Sequence, residues 1–220
     1  MGDEVLVAHD VRFAYRPSLP PVIDGFNASF RRGSMTAVTG RSGVGKSSLL
    51  FLLGLMLSPD SGELTILGEP TSTTSDAYRA RLRASRFGFV FQDSCLDPRR
   101  TVLDNVLQPL AFRGARRAEW KTRARDLLDR VGVSVPVDRR PGEVSGGQAQ
   151  RIALCRALLA EPDIVLADEP TGNLDARSAA DVMGALRSRA EAGSAVVIVT
   201  HSAEVEGLCD ETIHLGGAMT

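Results

Sequence analysis

The sequence lacks the features that would assign it to several large classes of protein. Its 220 residues include only three cysteines, Cys95, Cys155 and Cys209, which are far apart and lack metal-ligand spacing. That pattern excludes a cysteine metal site and predicts a reducing cytoplasm. Neither sign of charge predominates, since 26 Lys and Arg residues accompany 27 Asp and Glu residues, for a net charge of −1. General affinity for nucleic acids, which needs a basic excess, is therefore not expected.

Long hydrophobic runs are also missing. No apolar stretch approaches the roughly 20 residues that span a bilayer, and the acidic start Met1-Gly2-Asp3-Glu4 is unlike the basic start of a secretory signal. The hydrophobic fraction of 43% is nevertheless sufficient for a sizeable buried core. We therefore expect a cytoplasmic chain that reaches any membrane through a partner.

Short β-rich runs alternate with helix-like stretches along the chain. This alternation is typical of an α/β fold with a mainly parallel sheet, whose continuous apolar strands are covered on both faces. Residues 5–15 alternate in places and predict edge strands, which would form an antiparallel β edge of the mainly parallel sheet. The other predicted elements are strands at residues 35–39, 87–91, 164–167, 195–199 and 213–215, and a helix at about 46–55.

Residues 101–131 differ from their surroundings because their apolar residues recur at helical spacing. Val102, Val106 and Leu110 suit one helix, and Trp120 and Ala124 begin a second. We therefore predict one domain with two parts. The core comprises residues 1–92 and 161–220 and includes an N-terminal β subdomain, while residues 93–160 form an inserted helical subdomain.

A glycine-rich loop between a predicted strand and a predicted helix gives the strongest chemical signal. Residues 40–47 match the phosphate-loop pattern G-x-x-x-x-G-K-[ST]. Glycines let backbone N–H groups converge on phosphate oxygens, and the start of the following helix adds about half a positive charge. Lys46 would reach the β- and γ-phosphates, and the Ser47 hydroxyl would ligate Mg²⁺. The predicted nucleotide-binding residues here are Gly40, Arg41, Ser42, Gly43, Val44, Gly45, Lys46, Ser47 and Ser48.

An apolar strand that ends in two carboxylates supplies a second signal. Asp168 follows the run 164–167, and a carboxylate at the end of such a strand can lie beside the Mg²⁺ of a neighbouring phosphate loop. Glu169, one residue further on, is where a general base could polarise an attacking water. The alternative is that both residues merely cap the segment before Pro170.

A second glycine motif precedes another helix. Ser145 is a plausible N-cap, and Gly146 and Gly147 allow a close approach to the backbone at a helix start, which favours anions. A capped helix with two glycines could also stand without any ligand.

With this third motif the chain resembles the nucleotide-binding subunit of ATP-binding cassette (ABC) transporters over nearly all its length. Residues 144–148 look like the signature motif L-S-G-G-Q with valine in place of leucine, and the other two motifs look like Walker A and Walker B. Tyr15, 25 residues before Gly40, resembles the aromatic residue on which adenine stacks, with Phe13 as the alternative. Three further matches are Gln92 with the Q-loop glutamine, Asn173-Leu174-Asp175 with the D-loop, and His201 with the switch histidine.

The resemblance implies an ATPase with a phosphate-loop NTPase core that uses ATP and Mg²⁺ and pairs head to tail with a second copy or a related cassette. Each ATP would lie between Walker A of one cassette and the signature of the other. Ser145 and Gly147 would donate to the γ-phosphate. Gly146 and Gln148 belong to the same nucleotide-binding segment. The remaining implied roles are metal binding by Ser47, Gln92 and Asp168, water activation by Glu169, γ-phosphate contacts by Lys46 and His201, and communication across the dimer by Asp175.

The resemblance also implies a partner, a transmembrane permease subunit driven from the cytoplasmic face of the membrane. Residues 169–175 look most like the branch of lipoprotein-release, macrolide-export and cell-division cassettes, whereas residues 96–102 look more like oligopeptide-importer cassettes; we favour the first. The alternatives are a soluble ABC ATPase acting on DNA or ribosomes, which the balanced charge and the single cassette disfavour, and a self-contained phosphate-loop kinase or NTPase, which the signature motif disfavours.

Overall fold

The computed structural model describes residues 3–112, 117–172 and 174–216. Nine strands and seven α-helices are defined within these ranges. The strands are β1 (Glu4–Phe13), β2 (Ile23–Arg31), β3 (Met35–Thr39), β4 (Ser61–Ile66), β5 (Glu69–Pro70), β6 (Phe87–Val90), β7 (Ile164–Asp168), β8 (Ala195–Val199) and β9 (Glu211–His214). The helices are α1 (Lys46–Leu53), α2 (Asp76–Arg86), α3 (Val102–Val106), α4 (Arg117–Arg130), α5 (Gly146–Leu158), α6 (Ala176–Glu191) and α7 (Ala203–Gly207).

The strands form two sheets, which confirms the α/β class. Five strands pair in the order β6-β7-β8-β3-β9, and every pairing in this sheet is parallel. All residues of β3, β7 and β8 are buried, as the continuous apolar runs predicted. The carboxyl ends of β3, β6, β7 and β8 therefore meet at one edge, where ligands bind in open α/β sheets.

The antiparallel strands form a separate sheet in the order β2-β1-β4-β5, rather than an edge of the parallel one. The expectation of edge strands at residues 5–15 is wrong, because β1 lies inside this sheet with β2 on one side and β4 on the other. Its apolar residues pack inward in the same hydrophobic cluster as α1.

Alternate residues of the parallel strands enter two different cores. Val196 and Ile198 of β8 pack in a cluster with α3, α4, α5 and α6, whereas Val197 and Val199 pack with α1 and the antiparallel sheet. This follows from the two-residue period of a strand, which points successive side chains to opposite faces. Both faces of the sheet are therefore covered, and the edge formed by the carboxyl ends of the strands is left open to a ligand.

Two predicted helices are shorter than the sequence pattern indicates. Helix α1 ends at Leu53 rather than near Leu55, because Gly54 caps it and Leu55 adopts a left-handed φ of 58°. Helix α3 is followed by a 3-10 turn at Gln108–Phe112, where Pro109 removes a backbone donor. The division of the chain into a core and a helical subdomain at 93–160 stays a prediction.

One glycine controls how closely the sheet approaches α5. A Cβ at Gly88 of β6 would collide with the Ala157 carbonyl oxygen of α5, whereas a Cβ at Gly184, exposed on α6, would meet nothing within 4 Å. We expect Gly88→Ala to lower the free energy of unfolding by about 1–3 kcal/mol through overpacking. Gly184→Ala, the matched control, should raise it by about 0.5–1 kcal/mol through helix propensity. Urea denaturation of both variants measures this, and an unchanged Gly88→Ala would contradict the close approach.

Candidate functional site

The phosphate loop connects β3 to α1, as the sequence predicted. Gly40 and Gly45 have φ angles of 149° and 105°. A Cβ on Gly40 would lie 2.6 Å from the Leu215 carbonyl oxygen, and one on Gly45 would lie 2.6 Å from Val22 Cγ1, so larger residues do not fit at either position. Among the described residues, no side chain caps the first turn of α1, which leaves its positively polarised N–H groups available to an anion.

Lys46 crosses this loop from the first turn of α1. Its Nζ donates to the carbonyl oxygens of Gly40 at 2.8 Å and Arg41 at 3.1 Å. The side chain of Val44 packs under the loop, close to both Gly40 and Gly216. The ammonium is therefore held over the concave side of the loop, where an incoming phosphate chain would meet it.

Asp168, the last residue of β7, is buried beside the loop, with only 8% of its surface exposed. Burial raises the pKa of Asp168, the neighbouring Glu169 raises it further, and the hydrogen bond with the Ser47 side chain and the nearby Lys46 ammonium act in the opposite direction. Two of the three residues predicted to bind the metal, Ser47 and Asp168, thus lie in contact, although they are 121 positions apart in the sequence.

Glu169 lies at the turn directly after β7 with a left-handed φ of 45°, an uncommon conformation for a residue other than glycine. Three groups hold it. Its backbone N–H donates to Val199 at 2.9 Å, the Thr200 hydroxyl donates to Oε2 at 3.2 Å, and His201 Nδ1 lies 2.6 Å from Oε1. Strained residues that are fixed by several contacts cluster at functional sites.

These residues surround a cavity of about 360 Å³. Among the described residues it is lined by Tyr15, Val22, Ser42, Gly43, Gly45, Lys46, Ser47, Ser48, Gln92, Asp168, Glu169 and Val199. Gly40, Arg41 and Val44 belong to the loop behind this lining, and His201 adjoins it through Glu169.

Tyr15, rather than Phe13, reaches this cavity. Phe13 is 7% exposed and packs in the core of the antiparallel sheet, whereas Tyr15 lies beyond the end of β1 and is 59% exposed. The Tyr15 hydroxyl and the Ser48 hydroxyl are 2.8 Å apart, and its ring packs edge-on against Phe13 with centroids 5.0 Å apart. One aromatic ring is thus available at the mouth of the cavity.

The signature residues lie at the start of α5. Ser145 is the N-cap, as predicted: its hydroxyl accepts from the Gln148 backbone N–H at 3.2 Å, and Gln148 Oε1 accepts from the Ser145 N–H at 2.8 Å. Gly146 is exposed at the same helix start, and Gly147 faces Leu174. None of these four residues is among the described residues that line the cavity.

Asp175 caps α6 and is also absent from the described lining. Hydrogen bonds from the backbone N–H and the hydroxyl of Ser178 hold the pKa of Asp175 below its ordinary value. Asn173 of the same predicted motif lies outside the described residues. One protomer therefore assembles the phosphate loop and the carboxylates but not the signature motif.

Sequence reasoning missed residues that support the site. Thr200 is 1% exposed and holds Glu169, and Val22 and Val199 supply apolar walls of the cavity. Thr200 could have been suspected because it precedes His201, but Val22 belongs to no motif, and only the fold brings it to the loop.

The sequence is similar to known proteins of one family. The profile of the family described as "ABC transporter" matches residues 23–172. The chain is 41% identical over 214 residues to the lipoprotein-releasing system ATP-binding protein LolD of Nitrobacter hamburgensis, covering 96% of this chain and 92% of that protein. It is 42% identical over 194 residues to the macrolide export ATP-binding/permease protein MacB of Nitrosomonas europaea, covering 88% of this chain and 29% of that protein. Both relatives belong to the branch that residues 169–175 predicted.

Solved structures match the whole fold. A dimeric structure of the bacterial ABC transporter cassette MJ0796 has a TM-score of 0.89 and 34% identity, covering 96% of this chain and 94% of that one. A post-hydrolysis dimer of the same cassette, bound to ADP and Pi, has a TM-score of 0.85 and 31% identity, with the same coverage. Across residues 3–112, 117–172 and 174–216, no helix is long and apolar enough to cross a bilayer.

The buried carboxylate of Asp168 predicts a pH-dependent stability. Because its folded pKa is raised above the unfolded value, the native state loses stability as pH rises from about 4, the unfolded pKa, through the folded pKa. Asp168→Asn should therefore be more stable than the parent near pH 8 and lose that advantage below about pH 4. Urea denaturation across pH, without nucleotide or Mg²⁺, measures the difference. Exposed Asp93→Asn is the control, and equal responses of the two variants would contradict the prediction.

Proposed function

Since the chain belongs to the ABC transporter family as an ATP-binding and ATP-hydrolysing subunit, we propose that it powers a lipoprotein-release or export type of membrane system from the cytoplasmic face. The observation that carries this proposal is the convergence of Lys46, Ser47, Asp168 and Glu169 on one cavity, in a chain 41% identical to a lipoprotein-release ATPase. ABC cassettes of this kind work as dimers with transmembrane subunits. Here the second cassette is a copy of this chain or a related one.

ATP binds with its phosphates along the loop. The N–H groups of Gly43 and Gly45 and the start of α1 surround the phosphate oxygens, and the Lys46 ammonium exchanges its two carbonyl partners for the β- and γ-phosphates. Adenine stacks on the ring of Tyr15, whose 59% exposure leaves a face free. The net charge of −1 fits this role, since the anion is bound by local dipoles and one ammonium rather than by a basic surface.

The residues around Ser47 suit a Mg²⁺ ion that arrives with the nucleotide. The Ser47 hydroxyl and the Asp168 carboxylate offer hard oxygen ligands, and Gln92 adds an amide oxygen at the same cavity. The described residues contain no group of three or more His, Cys, Asp or Glu side chains that could hold a metal ion alone, which fits an ion bound largely by phosphates and water. When bound, Mg²⁺ neutralises charge on the β- and γ-phosphates.

Glu169 serves as the general base for hydrolysis. It accepts a proton from the water that attacks the γ-phosphorus, the bond to the β-phosphate oxygen breaks, and ADP and phosphate result. Thr200 holds Oε2, and His201 holds Oε1 until ATP binds, so the carboxylate is already oriented before the proton moves. His201, with 76% of its side chain exposed, can turn from Glu169 to the γ-phosphate once ATP is bound.

The second cassette completes the site. Ser145, Gly146, Gly147 and Gln148 begin α5 away from the described cavity lining, so they meet an ATP held by the opposite protomer. The helix start then approaches the γ-phosphate from the side that Lys46 leaves open, and the charge that develops in the transition state is stabilised from both sides. Asp175 lies where the two protomers meet and relays the state of one site to the other.

A separate groove suits the transmembrane partner. It has a volume of about 860 Å³ and is lined by apolar residues of β6, by Met56 and by arginines of α2 and α5. The rings of Phe87, Phe89 and Phe91 stack in a row along its floor, with centroids 5.7 and 5.8 Å apart. The next residue, Gln92, lines the phosphate cavity, so this strand end connects the two sites.

The chemistry of the groove favours one kind of occupant. Its aromatic floor and the arginines Arg81, Arg83 and Arg156 match a short amphipathic segment of a membrane protein that carries apolar and acidic side chains. Such a segment would move with the Q-loop residue Gln92.

Two substitutions test the catalytic assignments. Lys46→Ala should abolish nucleotide binding or turnover, because the ammonium that neutralises the phosphates is lost. Glu169→Gln should retain ATP binding while slowing hydrolysis by at least ~10²-fold, because general-base assistance is lost. Phosphate release and equilibrium binding of a fluorescent ATP analogue measure the two effects. Near-normal turnover of Glu169→Gln would remove Glu169 from its role, and the absence of an ATP-dependent dimer in that variant would contradict the paired sites.

A second experiment tests the groove. Met56, which is 40% exposed in the groove, should tolerate Met56→Glu without loss of basal ATPase activity, since it does not line the phosphate cavity. Recovery of a multi-spanning membrane protein after cross-linking in the host should fall at least ~10-fold, because a charge enters an apolar contact.

Leu208→Glu is the matched control for the groove, since Leu208 is 49% exposed and is not among its described lining residues. Equal recovery with both variants would contradict docking in the groove. Recovery of only nucleic acid or ribosomal proteins with the parent chain would overturn the transporter assignment itself.

A further inference from the structure

Arg151 is a partly buried arginine that joins two helices. It lies on α5, six residues after Ser145, with 15% of its side chain exposed. Its Nη1 donates to the Ser178 hydroxyl of α6 at 3.0 Å, and the same nitrogen lies 3.9 Å from Asp181 Oδ2. Its Nε is buried without a hydrogen-bond partner among the described residues. A partly buried guanidinium whose Nε is buried and unsatisfied is a costly way to join two helices that also share an apolar core, so stability alone does not account for it.

Further hydrogen bonds connect Arg151 to Asp175, the last residue of the predicted D-loop. The Ser178 hydroxyl donates to Asp175 Oδ2 at 2.7 Å, and its backbone N–H donates to Asp175 Oδ1 at 3.0 Å. A line of hydrogen bonds therefore runs from Arg151 through Ser178 to Asp175. Both oxygens of the carboxylate are fixed, and the guanidinium polarises the hydroxyl that binds it.

A second contact joins the same two segments at their exposed ends. A Cβ on Gly147 would lie 3.4 Å from Leu174 Cδ2, which places the signature glycine against the residue before Asp175. Leu174 is itself packed on the core shared by α5 and α6. The segments that carry Ser145 and Asp175 are thus fixed to each other at two points, one apolar and one polar.

We propose that Arg151 is a positioning residue that makes the signature motif and Asp175 one rigid unit for binding the opposite protomer. The proposal rests on the proposed function, in which both segments act across the dimer. Without the Arg151–Ser178 bond, the start of α5 and the D-loop meet the second protomer as two independently mobile segments, and closing the dimer then costs additional ordering entropy. The site that holds ATP within one protomer contains neither segment among its described lining and is unaffected.

The test measures dimer formation separately from nucleotide binding. In a Glu169→Gln background, Arg151→Met should weaken the ATP-dependent dimer about tenfold in sedimentation experiments, because closing the dimer must then order two segments that move independently. The affinity of the monomer for a fluorescent ATP analogue should stay within about twofold, which a general loss of structure would not allow. Arg125→Met, which removes an exposed arginine of α4, is the matched control and should leave the dimer unchanged.

A double-mutant cycle assigns the effect to the proposed contact. Ser178→Ala removes the hydroxyl but keeps the backbone N–H that caps α6, so it loosens the dimer in the same direction and provides the readout if Arg151→Met fails to fold. The dimer of the double variant should be no weaker than the dimer of the weaker single variant, because both substitutions break the same Arg151–Ser178 hydrogen bond.

Additive losses, or a dimer of parental strength in either single variant, would overturn the role of Arg151 and leave the proposed function intact. If the Glu169→Gln parent itself forms no dimer with ATP, the proposed function fails, and the role of Arg151 fails with it.

Discussion

The order of strands in the parallel sheet is the constraint on which the site depends. Strands β3 and β7 are separated only by β8, and all three run in the same direction. Their carboxyl ends therefore deliver the phosphate loop, the two carboxylates and Thr200 to one edge of the sheet. The contact of Ser47 with Asp168 is the direct result, and it joins the second residue of α1 to the last residue of β7.

Helix α5 connects this edge to the rest of the molecule. Its Gln150 donates to the Phe91 carbonyl at 2.9 Å, and its Arg156 donates to the carbonyls of Ser94 and Cys95 at 2.8 and 2.6 Å. Arg151 joins the same helix to α6. One helix thus holds the segment around Gln92, the signature motif and the start of α6.

Two residues of the site, Asp168 and Glu169, lower the stability of the fold. Asp168 is buried without a cation in direct contact among the described residues, and Glu169 adopts a left-handed backbone conformation. Each of these features is unfavourable for the stability of the fold, and each places a carboxylate at the cavity beside the phosphate loop. The buried apolar strands on both sides of β7 supply the stability that keeps these residues in place.

Structural features that depend on residues close together in the sequence could be predicted from the sequence. The apolar runs of β3, β7 and β8 predicted buried strands, and the glycines and Lys46 predicted a strand–loop–helix that binds phosphate. The hydroxyl of Ser145 predicted a helix start. These features depend on residues a few positions apart, so the order of residues is enough to reveal them. Helix α2, which is highly charged and has no buried residue, gave no comparable signal.

Tertiary structure decided the rest. The separate antiparallel sheet, the aromatic floor of the groove, the choice of Tyr15 over Phe13 and the Arg151–Ser178 contact all depend on residues brought together from distant parts of the chain. No periodicity or motif records such contacts, because strand pairing and helix packing are set by the burial of whole faces. The sequence by itself determined which residues are candidates to bind ATP, and the fold determined which of them line one cavity and which lie outside its described lining.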